Sequence, residues 1–149
     1  MVSRSDCLKR YGSDYYIRKK LAAGELFRVD KGIYSEKENV PELALIAYKY
    51  PNAVVTMETA FYLYDLTDEI PDEYSVATKR EAAPITDLRV KQYFVPKEIL
   101  RLGETVFDYK GYLIPIYDRE RMLVELVRYK PKLPYNYYKE ILRNYRRIL

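Results

Sequence analysis

Two aspartates and a lysine come nearest to a catalytic pattern in this 149-residue sequence: Pro71-Asp72, followed by Asp108-Tyr109-Lys110. Two carboxylates so placed can hold a divalent cation, and a neighbouring lysine can steady charge building on a phosphoryl oxygen, the plan of a metal-dependent nuclease. The same residues have a plainer reading, Asp72 in a loop after a helix and Asp108 at the end of a hairpin strand. Other catalytic types are missing. There is no histidine, and Cys7 is the single cysteine, which removes His-assisted nucleophiles, His-ligated zinc, CxxC motifs and intrachain disulfides. No catalytic set, metal site or cofactor is expected.

A second group of residues can act without catalysis. Ser13, Tyr15, Tyr16, Arg18, Lys19 and Lys20 crowd one short segment, and Arg28 and Lys31 follow it. Guanidinium and ammonium groups bond phosphates and the acceptor edges of guanine, and hydroxyls bond phosphates. The charge distribution favours a polyanionic partner: residues 1–35 hold eight Lys/Arg against four Asp/Glu, residues 36–75 two against nine, and residues 76–149 sixteen against nine. Lys139, Arg143, Arg146 and Arg147 recur on one helical face and form a possible second basic surface. The acidic middle supports a different role, a protein-binding module in which Phe61, Tyr62, Tyr64 and the segment 65–73 meet a basic partner.

The first group must be positioned by local elements. Ser3 or Ser5 can cap a short helix through Arg10 with Leu8 on its inner side, and Gly12 ends it. Ser13 then caps a helix over DYYIRKKLAA, closed by Gly24. Within it Ile17 and Leu21 share the inner face, while Tyr15 and Lys19 project oppositely. Leu26–Val29 and Ile33–Ser35 make a hairpin about a three-residue loop, Asp30-Lys31-Gly32. Helix, tight turn, second helix and basic hairpin are the plan of a winged helix-turn-helix, whose second helix enters the major groove while the hairpin rests on the backbone.

Beyond a boundary in SEKEN, patterning predicts helices from Pro41 to Tyr50, Glu58 to Leu66, Arg119 to Tyr129 and Tyr135 to Ile148. Strands are predicted at Ala53–Thr56, Tyr74–Thr78, Lys91–Val95, Thr105–Tyr109 and Tyr112–Ile116. Met122, Leu123, Leu126 and Val127 form the inner stripe of the third helix. The expected fold is α+β, an N-terminal winged helix-turn-helix over residues 1–36 followed by a mixed α+β domain over 37–149. The longest apolar run, Leu43–Tyr48, is too short to span a bilayer, and no apolar leader follows Met1, so a cytoplasmic protein without a membrane partner is expected.

Three stretches in order, YGSDYYIRKKLAAGELFRVDKGIYSE, TMETAFYLYDLTDEIPDEYSV and IYDRERMLVEL, resemble the AbiEi antitoxin family of type IV toxin–antitoxin, abortive phage-infection systems. Its G-x-L-x-R-x-x-x-G-x-Y head is matched by Gly24, Leu26, Arg28, Gly32 and Tyr34, and its L-T-x-x-x-P by Leu66, Thr67 and Pro71. Its E-R-x-L-V-D-like motif is matched by Glu120, Arg121, Leu123 and Val124, with Glu125 in the last place. The resemblance implies a cytoplasmic winged-helix repressor of its own operon, bound to inverted repeats in the upstream double-stranded DNA. It also implies a nucleotidyltransferase-like toxin, neutralised without a stable complex, and DNA contact at Tyr15, Tyr16, Arg18, Lys19, Lys20, Arg28 and Lys31. The head begins unusually close to residue 1, and relatives continue past the position of Leu149. Both a full antitoxin and a shortened relative therefore remain open.

Overall fold

The computed structural model describes residues 1–148 and divides into two compact units, Met1–Lys49 and Tyr50 onward. The fold is α+β, with six α-helices and two sheets among the described residues. The division falls after the helix that begins near Pro41, not in 36–40.

In the first unit, β1 (Val2–Ser3) leads into α1 (Arg4–Tyr11), capped by Ser3 Oγ, which accepts from the Asp6 N–H at 3.1 Å. Gly12, at φ +86°, ends α1, and its N–H returns to the Leu8 carbonyl. Ser13 caps α2 (Asp14–Ala22). At its far end, the Glu25 N–H reaches the Lys20 carbonyl and the Gly24 N–H the Leu21 carbonyl, closing the helix with Gly24 left-handed. Strands β2 (Phe27–Asp30) and β3 (Ile33–Ser35) pair antiparallel with a bulge between Arg28 and Asp30. Asp30 lies opposite Ile33, so the loop is two residues, Lys31-Gly32, and not the three expected. β1 pairs with the other side of β3, a strand too short to announce itself by alternation. α3 (Glu42–Lys49) completes the unit, and Lys49 Nζ lies 3.2 Å from Asp30 Oδ2 on the hairpin.

Cys7, Ile17, Leu26 and Tyr34 form a buried cluster, with Val2, Tyr11 and Leu21 packed against it. Leu8, expected inside, is 37% exposed. A short helix offers one residue per turn to so small a core, and Cys7 takes that place.

The second unit is built on a mixed sheet in the order β6-β5-β4-β8-β7. These strands are β4 (Val54–Val55), β5 (Tyr74–Lys79), β6 (Val90–Val95), β7 (Glu104–Tyr109) and β8 (Tyr112–Tyr117). β7 and β8 form a hairpin through Lys110-Gly111, both at positive φ, the two-residue turn that matches strand twist. α4 (Met57–Leu63) follows β4 directly and ends at left-handed Asp65. α5 (Arg119–Arg128) is capped by Asp118, and α6 (Tyr135–Ile148) follows a 3-10 turn at Lys130–Lys132. Met122 and Leu126 of α5 are buried, but Val127 is exposed; the inner face is completed by Arg121 and Glu125. No helix among the described residues is long and apolar enough to cross a membrane.

Much of the tyrosine content is structural. The Tyr117 hydroxyl donates to the Leu100 carbonyl at 2.6 Å, Tyr145 to Arg119 at 2.8 Å and Tyr64 to Tyr117 at 2.7 Å. The Tyr117 and Tyr145 rings fill core, Tyr64 is half-buried, and each hydroxyl meets a backbone acceptor. Burial pushes the Tyr117 hydroxyl up to about 12.

Gly103, at φ +78°, is a position where a side chain has no room: a Cβ there would stand 2.7 Å from the Cβ of Arg121. Gly103→Ala is expected to destabilise the second unit by about 2–4 kcal/mol, left-handed strain and overpacking together. Denaturant unfolding reads this, and a loss under about 1 kcal/mol would contradict it.

Candidate nucleic-acid interface

The α2 segment separates its residues as amphipathic spacing requires. Ile17 turns into the core at 1% exposure, Leu21 lies against the cluster, and Tyr15, Tyr16, Arg18 and Lys19 face solvent. The inner pair is apolar and the outer set basic or aromatic, so burying one face presents the other.

The exposed side chains are not equally available. Ser13 Oγ accepts from the Tyr16 N–H at 3.5 Å, so its hydroxyl serves as a helix cap. Asp14 binds Arg4 at 2.7 Å and Arg18 at 2.6 Å, which leaves Arg18 tethered to its own helix. The Arg4 bond, with Arg18 adding to it, holds the Asp14 carboxyl below the usual range. Lys20 Nζ contacts Glu25 Oε2 at 2.6 Å, and that bond raises the ammonium pKa. The pair is exposed on both sides, with side chains 44% and 56% accessible. Tyr15 and Tyr16 meet edge to face with centroids 5.3 Å apart. Lys19, Arg28 and the Lys31 side chain are exposed and make no hydrogen bond or ion pair among the described residues. A cation without an internal partner loses only hydration on meeting a phosphate.

α6 presents a second basic surface. Tyr137, Tyr138, Ile141 and Tyr145 face inward. Lys139, Arg143, Arg146 and Arg147 lie exposed on the outer arc. Lys139 Nζ rests 5.1 Å from the Tyr135 ring centroid. The contact of α6 with the acidic middle is made by other residues: Glu140 accepts from the Asp68 N–H at 3.0 Å, and Asn144 donates to the Leu66 carbonyl at 2.8 Å.

The two other arrangements weighed in the sequence fare differently. Asp72 precedes β5 while Asp108 lies on β7, and β4 and β8 intervene, a spacing of about 14 Å at ordinary strand separation. That is too far to share a cation, and Asp108 Oδ1 accepts from the Gly111 N–H at 2.9 Å as part of its turn. Among the described residues no group of three or more His, Cys, Asp or Glu could hold a metal. Of the aromatic contact set, Phe61 is fully buried and Tyr64 is held by its hydroxyl bond to Tyr117. Tyr62 is exposed.

One constellation is absent from the sequence reading. Glu58, at the start of α4, accepts from Tyr93 at 2.9 Å, Ser75 at 3.0 Å and Lys91 at 3.1 Å. It lines a cleft of about 220 Å³ with Glu69, Lys91, Lys132 and Tyr137. Its members come from three elements, so only the parallel register of β5 and β6 could have revealed it. Burial works to raise the Glu58 carboxyl, but a backbone N–H, Lys91 and Tyr93 outweigh it and hold the group below the ordinary range. Burial also pushes Tyr93 up to about 12. A depressed carboxyl contributes stability above its unfolded pKa, about 4.3, and loses it as pH falls through the folded value. Glu58→Gln is therefore expected to cost about 1–2 kcal/mol at pH 7 and progressively less below pH 4. Urea midpoints at several pH values check this; a loss independent of pH would contradict it.

Compared with known proteins, the chain matches no protein-family model and no curated protein sequence.

Proposed function

We propose that this chain is a sequence-specific DNA-binding repressor, a cytoplasmic antitoxin of the AbiE type that represses its own operon. In this reading the first unit is a winged helix-turn-helix, α2 its recognition helix and the β2–β3 hairpin its wing. The observation that carries it is the state of Lys19, Arg28 and Lys31: three exposed, unpaired cations on the recognition helix and the wing of one small unit, beside exposed Tyr15 and Tyr16. The motif resemblance supplies the antitoxin role and the partner, a nucleotidyltransferase-like toxin neutralised without a stable complex. Lys19 reads base edges in the major groove, Arg28 and Lys31 bind the backbone, and the basic face of α6 adds phosphate contacts.

Base contact and phosphate contact differ in what their loss does. Lys31→Ala is expected to weaken binding to all duplexes alike and to flatten the salt slope by about 0.9. Lys19→Ala is expected to cost about 1–3 kcal/mol on the operator and relax preference at one base pair. Anisotropy titrations against operator and single-base variants separate the two, and an equal loss on every duplex from Lys19→Ala would remove it from the reading role.

A further inference from the structure

The second unit ends in an open strand. Among the described residues β7 pairs only with β8 and ends the strand order, with no strand on its other side. The Asp118 N–H donates to the Gly103 carbonyl at 2.7 Å, which fixes that pair as a hydrogen-bonded one. By antiparallel alternation the pairs at 105, 107 and 109 are bonded to β8, whereas Glu104, Val106 and Asp108 turn their N–H and C=O groups outward. Two observations agree: Val106 lies opposite Pro115, which has no N–H to give, and the Glu104 N–H bonds the Arg101 carbonyl instead of β8. Val106 is 61% exposed and Leu113, on the same face of the hairpin, 73%. Edge strands normally carry charges that discourage pairing, and β7 carries Glu104 and Asp108.

Those charges select a register instead of forbidding one. Directly opposed residues of an antiparallel pair share a face, so a two-fold contact of β7 with itself must centre on a residue. Centred on Val106, it sets Glu104 against Asp108 twice. Centred on Phe107, it sets Glu104 against Lys110 twice, Thr105 against Tyr109, and Phe107 against its own copy in a close, non-hydrogen-bonded pair. Val106 then lies diagonal to its counterpart on the exposed face. We propose that the β7 edge is a self-association surface, whose partner is a second copy of this chain paired antiparallel about Phe107, joining two five-stranded sheets into one. The outward groups of Val106 and Asp108 bond each other across the two-fold axis. Glu104, already 2.5 Å from Arg101, gains Lys110 of the other copy as a second cation. The inference does not depend on DNA binding, and its test contains no nucleic acid.

Charge reversal with complementation tests it by sedimentation equilibrium. The unaltered chain is expected to pass from one-chain to two-chain mass as concentration rises. Glu104→Lys alone and Lys110→Glu alone each set like charges opposite one another at both ends of the contact, and each is expected to weaken self-association about tenfold or more. An equimolar mixture of the two single variants restores opposite charges at both ends and is expected to recover the two-chain species. Val106→Pro, which removes an outward N–H and no bond to β8, is expected to abolish it while leaving the far-ultraviolet spectrum intact. A one-chain mass for the unaltered protein throughout the series, or a mixture no more associated than the single variants, overturns the proposal. Two-chain mass that survives Val106→Pro also overturns it.

Discussion

Replacing Arg121 with alanine is expected to lower the stability of the second unit by about 3–5 kcal/mol. The side chain is 6% exposed; its Nε donates to Glu125 Oε1 at 3.0 Å, and Nη1 donates to the carbonyls of Ile99 at 2.7 Å and Leu102 at 2.6 Å. The guanidinium lies over the Tyr117 ring, 4.2 Å from its centroid. Its other nitrogen, Nη2, is buried with no hydrogen-bond partner. Truncation strands the Glu125 carboxylate, itself 5% exposed, with only Arg128 at 3.6 Å. It also removes a donor from the part-buried carbonyls of Ile99, which keeps the Leu102 N–H, and Leu102. A double variant, Arg121→Met with Glu125→Leu, is expected to recover most of the loss, because apolar residues remove both charges together. Equilibrium unfolding of the two variants measures this. A single variant within about 1 kcal/mol of the parent, or a double variant no better than the single, would contradict the assignment.

The second large effect lies in the first unit. Ile17→Ala is expected to cost about 2–4 kcal/mol, drawn from a unit of 49 residues whose core cluster has four buried members. Units of that size carry little reserve stability. The first unit should therefore melt separately and early, and DNA binding should vanish while the second unit unfolds at its usual denaturant concentration. Near-ultraviolet and amide-exchange probes that resolve the two units check this. Unfolding of both units in one shifted transition would contradict it.

Local chemistry was legible in the sequence wherever one short stretch determines structure. Ser13, Gly24, Gly32, Lys110-Gly111 and Asp118 act as caps and turns at the positions expected, because each depends on backbone geometry within a few residues. Helices over Asp14–Ala22 and Tyr135–Ile148 followed from apolar spacing. What was hidden depends on partners far along the chain. Val2–Ser3 becomes a strand only because β3 offers an edge. Glu58 meets Ser75, Lys91 and Tyr93 only once β5 and β6 lie in parallel register. Arg121 and Glu125 lie outside the apolar stripe read from spacing, yet they are buried together as an ion pair.

The basic segment around Lys19 shows the same limit within a candidate site. Spacing predicted which residues face solvent, but not that Asp14 would hold Arg18 or that Glu25 would hold Lys20. Most residues that carry the family resemblance are structural here: Gly24 and Gly32 take positive φ, Leu26 and Tyr34 fill the core, and Leu66 and Thr67 are buried. Arg28, Glu120 and Val124 are exposed instead, and Arg28 makes no ion pair among the described residues.

The most direct test is fluorescence anisotropy of the intact protein on the duplex upstream of its own gene, against a scrambled duplex of the same composition, across a salt series. The expected result is a preference for the native duplex that persists at physiological salt, with a steep salt dependence set by the phosphate contacts. Equal, salt-fragile binding to both duplexes, or no binding to either, would contradict the proposal of a sequence-reading repressor.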